Sequence, residues 1–335
     1  MNILLYILAI LAGIILLAIL TVSYRQIIFE YPEGGGAYIV AKSNLGDWPG
    51  LTAAAALMID YVLTVAVSVA AGIAAVTSAV PALFAHREAI CLLAILTVLI
   101  VNLRGVRESG RVFAVPTYLF IGTMLVMIVT GLAQIMMGKA PGASSFSANS
   151  RNAVEGLTLF LGLRAFASGC TALTGVEVIS NGVSAFKKPE PQNAALTMLG
   201  MATILATLFL GISVLAYQFG VLPKEDETVV SQIARATFGD GPMYYLVQAS
   251  TMLILILAAN SAFAGFPRLA SILARDGYMP HQMAGMGDRL VFSNGIIILG
   301  FFSCLLIVLF QGDTHALIPL YAVGVFLSFT LSQAG

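Results

Sequence analysis

Charged residues are scarce in this sequence. Asp, Glu, Lys and Arg make up 10% of its 335 residues, and hydrophobic residues make up 59%. A soluble globular domain carries about 25% charged residues, so this chain lacks the polar coat that a water-exposed surface needs. In a bilayer that coat is unnecessary, because lipid solvates an apolar exterior. The composition therefore predicts an all-α membrane protein and argues against a soluble domain or an enzyme.

Cysteine is scarce as well, and its spacing excludes two further classes. Cys91, Cys170 and Cys304 lie in separate apolar stretches without CxxC or His-linked spacing, so neither a disulfide framework nor a metal site of that kind is indicated. Small packing residues are the simplest interpretation. The 16 basic and 16 acidic residues cancel, so no nucleic-acid partner is predicted. No cofactor is expected either.

Long apolar runs fill most of the chain. A helix needs about 20 apolar residues to cross the hydrocarbon core of a membrane. Nine segments qualify, although the third is short: 2–22, 50–80, 89–103, 112–137, 157–184, 193–219, 242–266, 291–311 and 315–334. We expect a polytopic protein with nine transmembrane segments.

The basic residues predict the orientation of these segments. One set of loops holds ten Lys and Arg residues and the alternate set holds six, spread over longer stretches. The richer set, which includes Arg25, Lys42, Lys187 and Lys188, is therefore assigned to the cytoplasm. This places Met1 outside, and the apolar run at the other end stops abruptly. We therefore expect a fragment that lacks a preceding helix and a C-terminal part.

Only two acidic residues fall well inside the predicted spans, Asp60 and Glu177. Charges within a membrane are costly and usually functional. No Lys or Arg lies deep enough within the predicted spans to pair with either acid. The acids therefore imply a cation from outside: a metal ion, a proton or an organic ammonium. Alternatively, each carboxyl is protonated and only hydrogen-bonded in the bundle.

Asp60 begins a stripe of oxygen-bearing side chains. Thr64 and Ser68 follow it at i+4 and i+8, which places all three on one face of a helix. Carboxylate and hydroxyl oxygens suit a hard or alkali cation. However, Thr and Ser in membrane helices often bond their own i−4 carbonyl instead.

Glu177 lies in a run interrupted by glycine. Gly169, Gly175 and Gly182 break it, with Thr171 and Thr174 between them. Transporter sites often form where a spanning helix breaks, because free backbone groups then line a cavity. The competing interpretation is that the glycines only permit close helix packing. The Gly34-Gly35-Gly36 loop lacks the GK[ST] of a phosphate-binding loop, so a close-packed turn is predicted there.

Three motifs resemble the amino acid–polyamine–organocation (APC) superfamily of transporters: Tyr31-Pro-Glu-Gly-Gly-Gly-Ala-Tyr38, Asn102-Leu-Arg-Gly-Val-Arg-Glu-Ser109 and Ser168-Gly-Cys-Thr-Ala-Leu-Thr-Gly-Val-Glu177. The resemblance implies the LeuT-like fold of two inverted five-helix repeats. Residues 1–140 would hold family helices 2–5 and residues 141–335 helices 6–10, with the broken sixth helix at 157–184. The broken first helix has no counterpart in the chain.

Within the superfamily, the sequence most resembles the KimA-like, KUP-type potassium importers. That resemblance implies a potassium site formed by Asp60, Thr64, Ser68, Thr174 and Glu177, with backbone around Gly169, Thr171 and Gly175. The family's first-helix Asp and Tyr, and its C-terminal domain that binds a cyclic dinucleotide, have no equivalents in the chain. Potassium, protons and the lipid bilayer are the implied partners, with a homodimer in the full-length protein.

The resulting prediction is a proton-coupled potassium importer of the plasma membrane that works by alternating access. An amino-acid permease of the same superfamily is the alternative, in which the broken helix would hold the substrate's amino and carboxylate groups. An intramembrane aspartyl protease would need YD and GxGD motifs around its two membrane acids. No YD occurs, and neither Asp60 nor Glu177 lies in a GxGD sequence. A channel would be expected to carry a filter-like TVGYG sequence, which the chain also lacks.

Overall fold

The computed structural model of the chain describes residues 3–32, 36–105, 110–138, 169, 175–285 and 292–334. These residues form α-helices, short 3₁₀ turns and connecting loops, with no strand among them. In chain order the helices are α1 (Ile3–Glu30), α2 (Gly36–Leu45), α3 (Asp47–Ala79), α4 (Arg87–Leu103), α5 (Gly110–Met136), α6 (Val176–Asn181), α7 (Glu190–Gln218), α8 (Val229–Phe238), α9 (Pro242–Arg275), α10 (Ser293–Leu309) and α11 (Thr314–Ala334).

Seven helical stretches within the described residues are long and apolar enough to cross a membrane. They lie in α1, α3, α5, α7, α9 and α11, and in α4 together with the 3₁₀ turn Pro81–His86 before it; α10 is a shorter apolar helix. The 33 residues of α3 and the 34 of α9 correspond to about 50 Å each at 1.5 Å per residue. The seven stretches coincide with seven of the predicted segments. The shorter α10 lies within an eighth, 291–311, whereas 157–184 lies mostly outside the described residues, so the count of nine spans stays a prediction.

Several helices continue beyond the predicted segment boundaries. The first predicted segment ends at residue 22, but α1 runs to Glu30, and α9 continues past residue 266 to Arg275. The predicted segments end shortly before charged residues, such as Arg25 and Arg268. Backbone hydrogen bonding carries a helix past such residues, because their side chains can reach water beyond the hydrocarbon core.

The chain divides into two compact units. The first unit comprises residues 1–60, 150–213 and 318–335, and the second comprises residues 61–149 and 214–317. Three of the four boundaries fall within α3, α7 and α11, and the fourth lies between residues 149 and 150. Each unit draws residues from both sides of position 140, so the proposed repeats 1–140 and 141–335 are not the compact units. The inverted symmetry of those repeats stays a prediction.

In the first unit, the short helix α6 packs against α1 and α2. The C-terminal helix α11 contributes aromatic and aliphatic contacts to the same unit. The ring of Phe329 meets that of Tyr24 edge to face at 6.0 Å between centroids. Leu331 packs against a cluster of small buried residues that includes Ala37 and Ala41. These contacts hold together segments that are far apart in sequence.

The second unit is built around α9, which contacts α4, α5, α8 and α10. Small residues allow close approach: a Cβ added at Gly265 would lie 2.6 Å from the Tyr61 ring, and one at Gly295 would lie 2.9 Å from Pro267. The Asn102 Nδ2 donates a hydrogen bond to Asn260 Oδ1 at 2.7 Å, which links α4 to α9. Small-residue contacts and amide bonds of this kind are typical of membrane helix packing.

Candidate functional site

Asp60 is buried within α3 despite its charge. The apolar run around it favours a spanning helix, and its side chain is only 4% exposed. Its Oδ1 atom has no hydrogen-bond partner among the described residues. An unsatisfied buried carboxylate is expensive, so a position of this kind needs a proton or a cation to be stable.

Glu177 is the second residue of α6 and is 5% exposed. The N–H of Gly175 donates to both of its carboxyl oxygens, at 3.2 Å to Oε1 and 3.0 Å to Oε2. Gly175 immediately precedes the helix and has a φ of +93°. That left-handed conformation favours glycine, and in it the Gly175 N–H points at the carboxyl group two residues ahead.

The first unit brings the two acids together. Asp60 and Glu177 lie close enough that the charge of one acts on the other. The Tyr24 hydroxyl lies within electrostatic range of both carboxyl groups, beside the Ser332 hydroxyl. Tyr24 is 1% exposed and Ser332 2%, and neither hydroxyl has a partner of hydrogen-bonding geometry among the described residues. We call Asp60, Glu177, Tyr24 and Ser332 the carboxyl cluster.

No basic residue of the described chain neutralises the carboxyl cluster. Ion pairs elsewhere in the described chain join Arg235 to Glu227 and Asp240, in the second unit. Neither Asp60 nor Glu177 forms such a pair in the described part of the chain. Nor do the described residues contain a group of three or more His, Cys, Asp and Glu side chains arranged to hold a metal. The side chains of the carboxyl cluster offer oxygen donors, which suit a proton or a hard cation.

The structure describes only some of the other predicted site residues. Thr64 is half-buried and Ser68 is buried, at i+4 and i+8 from Asp60 along α3. Both belong to the second unit. Gly169 is helical and exposed, whereas Thr171 and Thr174 lie outside the described residues. The participation of all four in a site stays a prediction.

Tyr24 and Ser332 were missed by the sequence reasoning. Tyr24 precedes Arg25 near the end of a predicted helix, where a tyrosine commonly marks the membrane interface. A signal was nevertheless present, because Tyr24 continues the helical spacing of Leu17, Leu20 and Ile28, all of which are buried. Ser332 offered no comparable signal, because its proximity to Tyr24 depends on tertiary structure.

Of the three glycines in the predicted close-packed turn, the structure describes Gly36. It begins α2 with a φ of +54°, and an added Cβ would overlap the side-chain amide of Asn181 at the end of α6. Both amide atoms of Asn181 are buried without a hydrogen-bond partner in the described part of the chain. Gly34 and Gly35 lie outside it. The third glycine of the motif therefore lets α2 approach the helix that carries Glu177.

Long apolar helices and a buried carboxyl pair without a basic partner among the described residues are features of a multi-pass membrane transporter. The amino acid permease family model matches residues 1–335, so the chain belongs to the amino acid permease family. It is 56% identical over 322 residues, 96% of its length, to the potassium transporter KimA of Bacillus subtilis (strain 168). It is 25% identical over 286 residues, 81% of its length, to the low-affinity putrescine importer PlaP of Escherichia coli (strain K12).

The chain covers only part of these curated relatives: 53% of the potassium transporter and 60% of the putrescine importer. The apolar helices and the bacterial transporter relatives confirm the predicted multi-pass location in the plasma membrane. They also confirm the resemblance to the permease superfamily at the level of the family.

Proposed function

We propose that the chain forms much of the membrane core of a proton-coupled potassium importer, and that Asp60 and Glu177 bind the transported ion. The observation that carries the proposal is the carboxyl cluster, in which two buried acids lie together without a basic partner in the described chain. Similarity to a potassium transporter over 96% of the chain supports the choice of ion.

The chemistry of such a site follows from the oxygen atoms available. A potassium ion that enters the membrane must exchange its hydration shell for protein oxygens, and two carboxylates offset the cost of that desolvation. One of the two acids would also carry the coupling proton, since two close carboxyl groups do not readily ionise together without a cation. Thr64, Ser68 and Thr174 would complete the ligand set, on the grounds of sequence spacing and the family resemblance.

The transport cycle is proposed to proceed by alternating access in a LeuT-like fold. Residues 1–140 and 141–335 would be its inverted repeats, with the break of the sixth family helix between residues 169 and 175. The left-handed Gly175 and the helix start at Val176 support a break at this point. A homodimer is proposed for the full-length protein.

Uptake measurements on charge-neutralised variants test the site. In the full-length protein, Asp60→Asn and Glu177→Gln should each reduce uptake of rubidium, used as a potassium tracer, by more than about tenfold, since the loss of one buried charge interaction costs several kcal/mol. Each amide keeps the shape of the side chain and removes its charge. Asp47→Asn is the matched control, because Asp47 is an exposed acid at the start of the same helix, and its uptake should match wild type. Wild-type uptake by the Asp60→Asn protein at equal membrane levels would disprove the ligand role.

An importer of amino acids or organic amines is the second candidate. The similarity to a putrescine importer favours it, because a diammonium compound would also suit two carboxylates. Parallel uptake of labelled putrescine and of labelled amino acids by the same full-length protein separates the candidates. If wild type takes up an amine or amino acid but no rubidium, and that uptake is lost in Asp60→Asn, the organic compound, and not potassium, is the substrate.

A further inference from the structure

An open groove runs along the outer surface of the first unit between α1 and α7. Thr21, Arg25 and Phe29 line one side at successive i+4 positions, so they form a single stripe of α1. The other side belongs to the first turns of α7, where Gln192, Leu196 and Leu199 lie with helical spacing. The groove has a volume of about 290 Å³.

Most of this groove is apolar. Leu196 is 70% exposed, Leu199 58% and Phe29 47%, whereas Met198 is fully buried and forms the floor. The Thr21 hydroxyl donates to the Leu17 carbonyl at 2.7 Å, so its proton is already bonded within the helix. Such a surface on a membrane-spanning chain would be covered by hydrocarbon, because water would leave it unsolvated.

Arg25 is the basic residue that lines the groove, one helical turn from the end marked by Phe29. Its side chain is exposed, and it makes neither an ion pair nor a hydrogen bond within the described part of the chain. Lys187 and Lys188 precede α7 at the same end, and the Asn193 side chain donates to the Lys187 carbonyl at 2.8 Å, which fixes that backbone beside the first turn. Glu30 and Glu190 reduce the surplus there to one positive charge.

From this arrangement we propose that the groove binds an anionic phospholipid of the cytoplasmic leaflet. Its phosphate pairs with Arg25, and one acyl chain runs away from Phe29, along Thr21 and the exposed Leu196 and Leu199 of α7. The basic end lies on the face assigned to the cytoplasm, where anionic lipids provide the negative partner. Charge and apolar surface thus occur in the order in which a phospholipid presents its head and tail. This site is separate from the carboxyl cluster and does not depend on which solute is transported.

Lipid retention by the purified full-length protein tests the proposal. After delipidation, the protein is titrated with phosphatidylglycerol or with phosphatidylcholine of the same acyl chains, and native mass spectrometry measures the bound fraction. Wild type should retain phosphatidylglycerol preferentially. Arg25→Gln should weaken that retention about fivefold, the effect expected for one basic residue facing an anionic lipid. Arg25→Lys should preserve most of it.

Two further variants make the outcome decisive. Arg275→Gln removes another exposed arginine, at the end of α9, and should leave retention unchanged. Ala195→Phe places a ring in the groove and should lower retention of both lipids. Equal losses in Arg25→Gln and Arg275→Gln would mean non-specific attraction and would overturn the site. Unchanged lipid retention in Ala195→Phe would overturn the site as well. If the oligomeric mass of that variant also changes, the groove is occupied by a protein and not by a lipid.

Discussion

At the scale of single residues, Gly175 both adopts a left-handed backbone conformation and binds the Glu177 carboxyl group through its N–H. A residue with a side chain would not readily do both. The Gly175 N–H holds both oxygens of Glu177, and it does so from a φ of +93°. No atom of the described chain lies within 4 Å of the position a Cβ would take. The steric clash that a purely packing role would require is therefore absent there, and the conformation is the main constraint.

Gly175→Ala should consequently impair transport more than folding. The left-handed conformation costs an alanine about 1–2 kcal/mol, which favours rewinding toward regular helix and withdraws the N–H from Glu177. Rubidium uptake and the yield of folded full-length protein should be measured together. Gly182→Ala is the matched control at the other end of α6, since its φ of −115° suits alanine and an added Cβ would lie 3.4 Å from the Val178 carbonyl oxygen. Equal loss of yield and uptake in Gly175→Ala would return this glycine to a structural role.

The two acids of the carboxyl cluster could be predicted from sequence, because a charge inside an apolar run is conspicuous by itself. The hydroxyl groups beside them could not. Tyr24 and Ser332 are polar residues of ordinary frequency near the ends of apolar segments, and more than 300 positions separate them. Only the packing of α1 against α11, seen in the edge-to-face contact of Tyr24 and Phe329, brings them together.

At the scale of helices, α8 is anchored by a buried hydrogen-bond network centred on Tyr244 of α9. The Tyr244 hydroxyl donates to the Ser78 carbonyl at 3.0 Å and lies 2.8 Å from the Ser231 hydroxyl. Arg235 donates to the same Tyr244 oxygen at 2.9 Å. Because Ser231 and Arg235 belong to α8 and Ser78 to α3, one hydroxyl joins three helices of the second unit.

Tyr244→Phe should therefore lower the stability of the protein by about 1–3 kcal/mol, because it leaves buried partners unsatisfied while keeping the ring. The measurement is the thermal unfolding of the full-length protein, with the folded fraction at each temperature determined by size-exclusion chromatography. The neighbouring Tyr245 is 50% exposed, so Tyr245→Phe removes a comparable hydroxyl at little cost and serves as the control. A Tyr244→Phe protein as stable as that control would show that the network adds nothing to stability.

Helix existence was easier to predict than helix ends. The apolar runs that became α3, α5 and α7 have few competing interpretations, because their length alone indicates a span. Their ends depend on local backbone hydrogen bonds instead. The 3₁₀ turn at Pro81–His86, which leads into α4, follows from a proline that fits the first turn of a helix, and the hydropathy of the segment does not reveal it.

At the scale of the whole molecule, the distribution of basic residues predicts the orientation in the membrane. Lys187 and Lys224 lie at opposite ends of the 29-residue α7 and are both exposed. In a cysteine-free full-length protein, a membrane-impermeant maleimide should label Lys224→Cys in intact cells. Lys187→Cys should be labelled only after permeabilisation. The reverse pattern would invert the assigned orientation, and equal labelling from one side would show that α7 does not span.

The division into two units had no counterpart in the sequence prediction. The first unit joins segments from the beginning, middle and end of the chain, and nothing local in any of them encodes that association. The family resemblance implied repeats that follow chain order. Those repeats stay a prediction, and the first unit depends on contact between helices that are distant in sequence, such as that of α6 with α1 and α2.

From the length of α9, we expect the protein to respond to bilayer thickness. Its 34 residues extend about 20 Å beyond a hydrocarbon core of about 30 Å. Within the helix, Pro267 cannot donate the hydrogen bond that would stiffen the backbone at that point. The exposed Arg268 and Arg275 follow it. Thickening of the membrane would draw Arg268 toward hydrocarbon, and tilting of the helix or bending at Pro267 would relieve that hydrophobic mismatch. Acyl-chain length is thus a physical variable that acts directly on the central helix of the second unit.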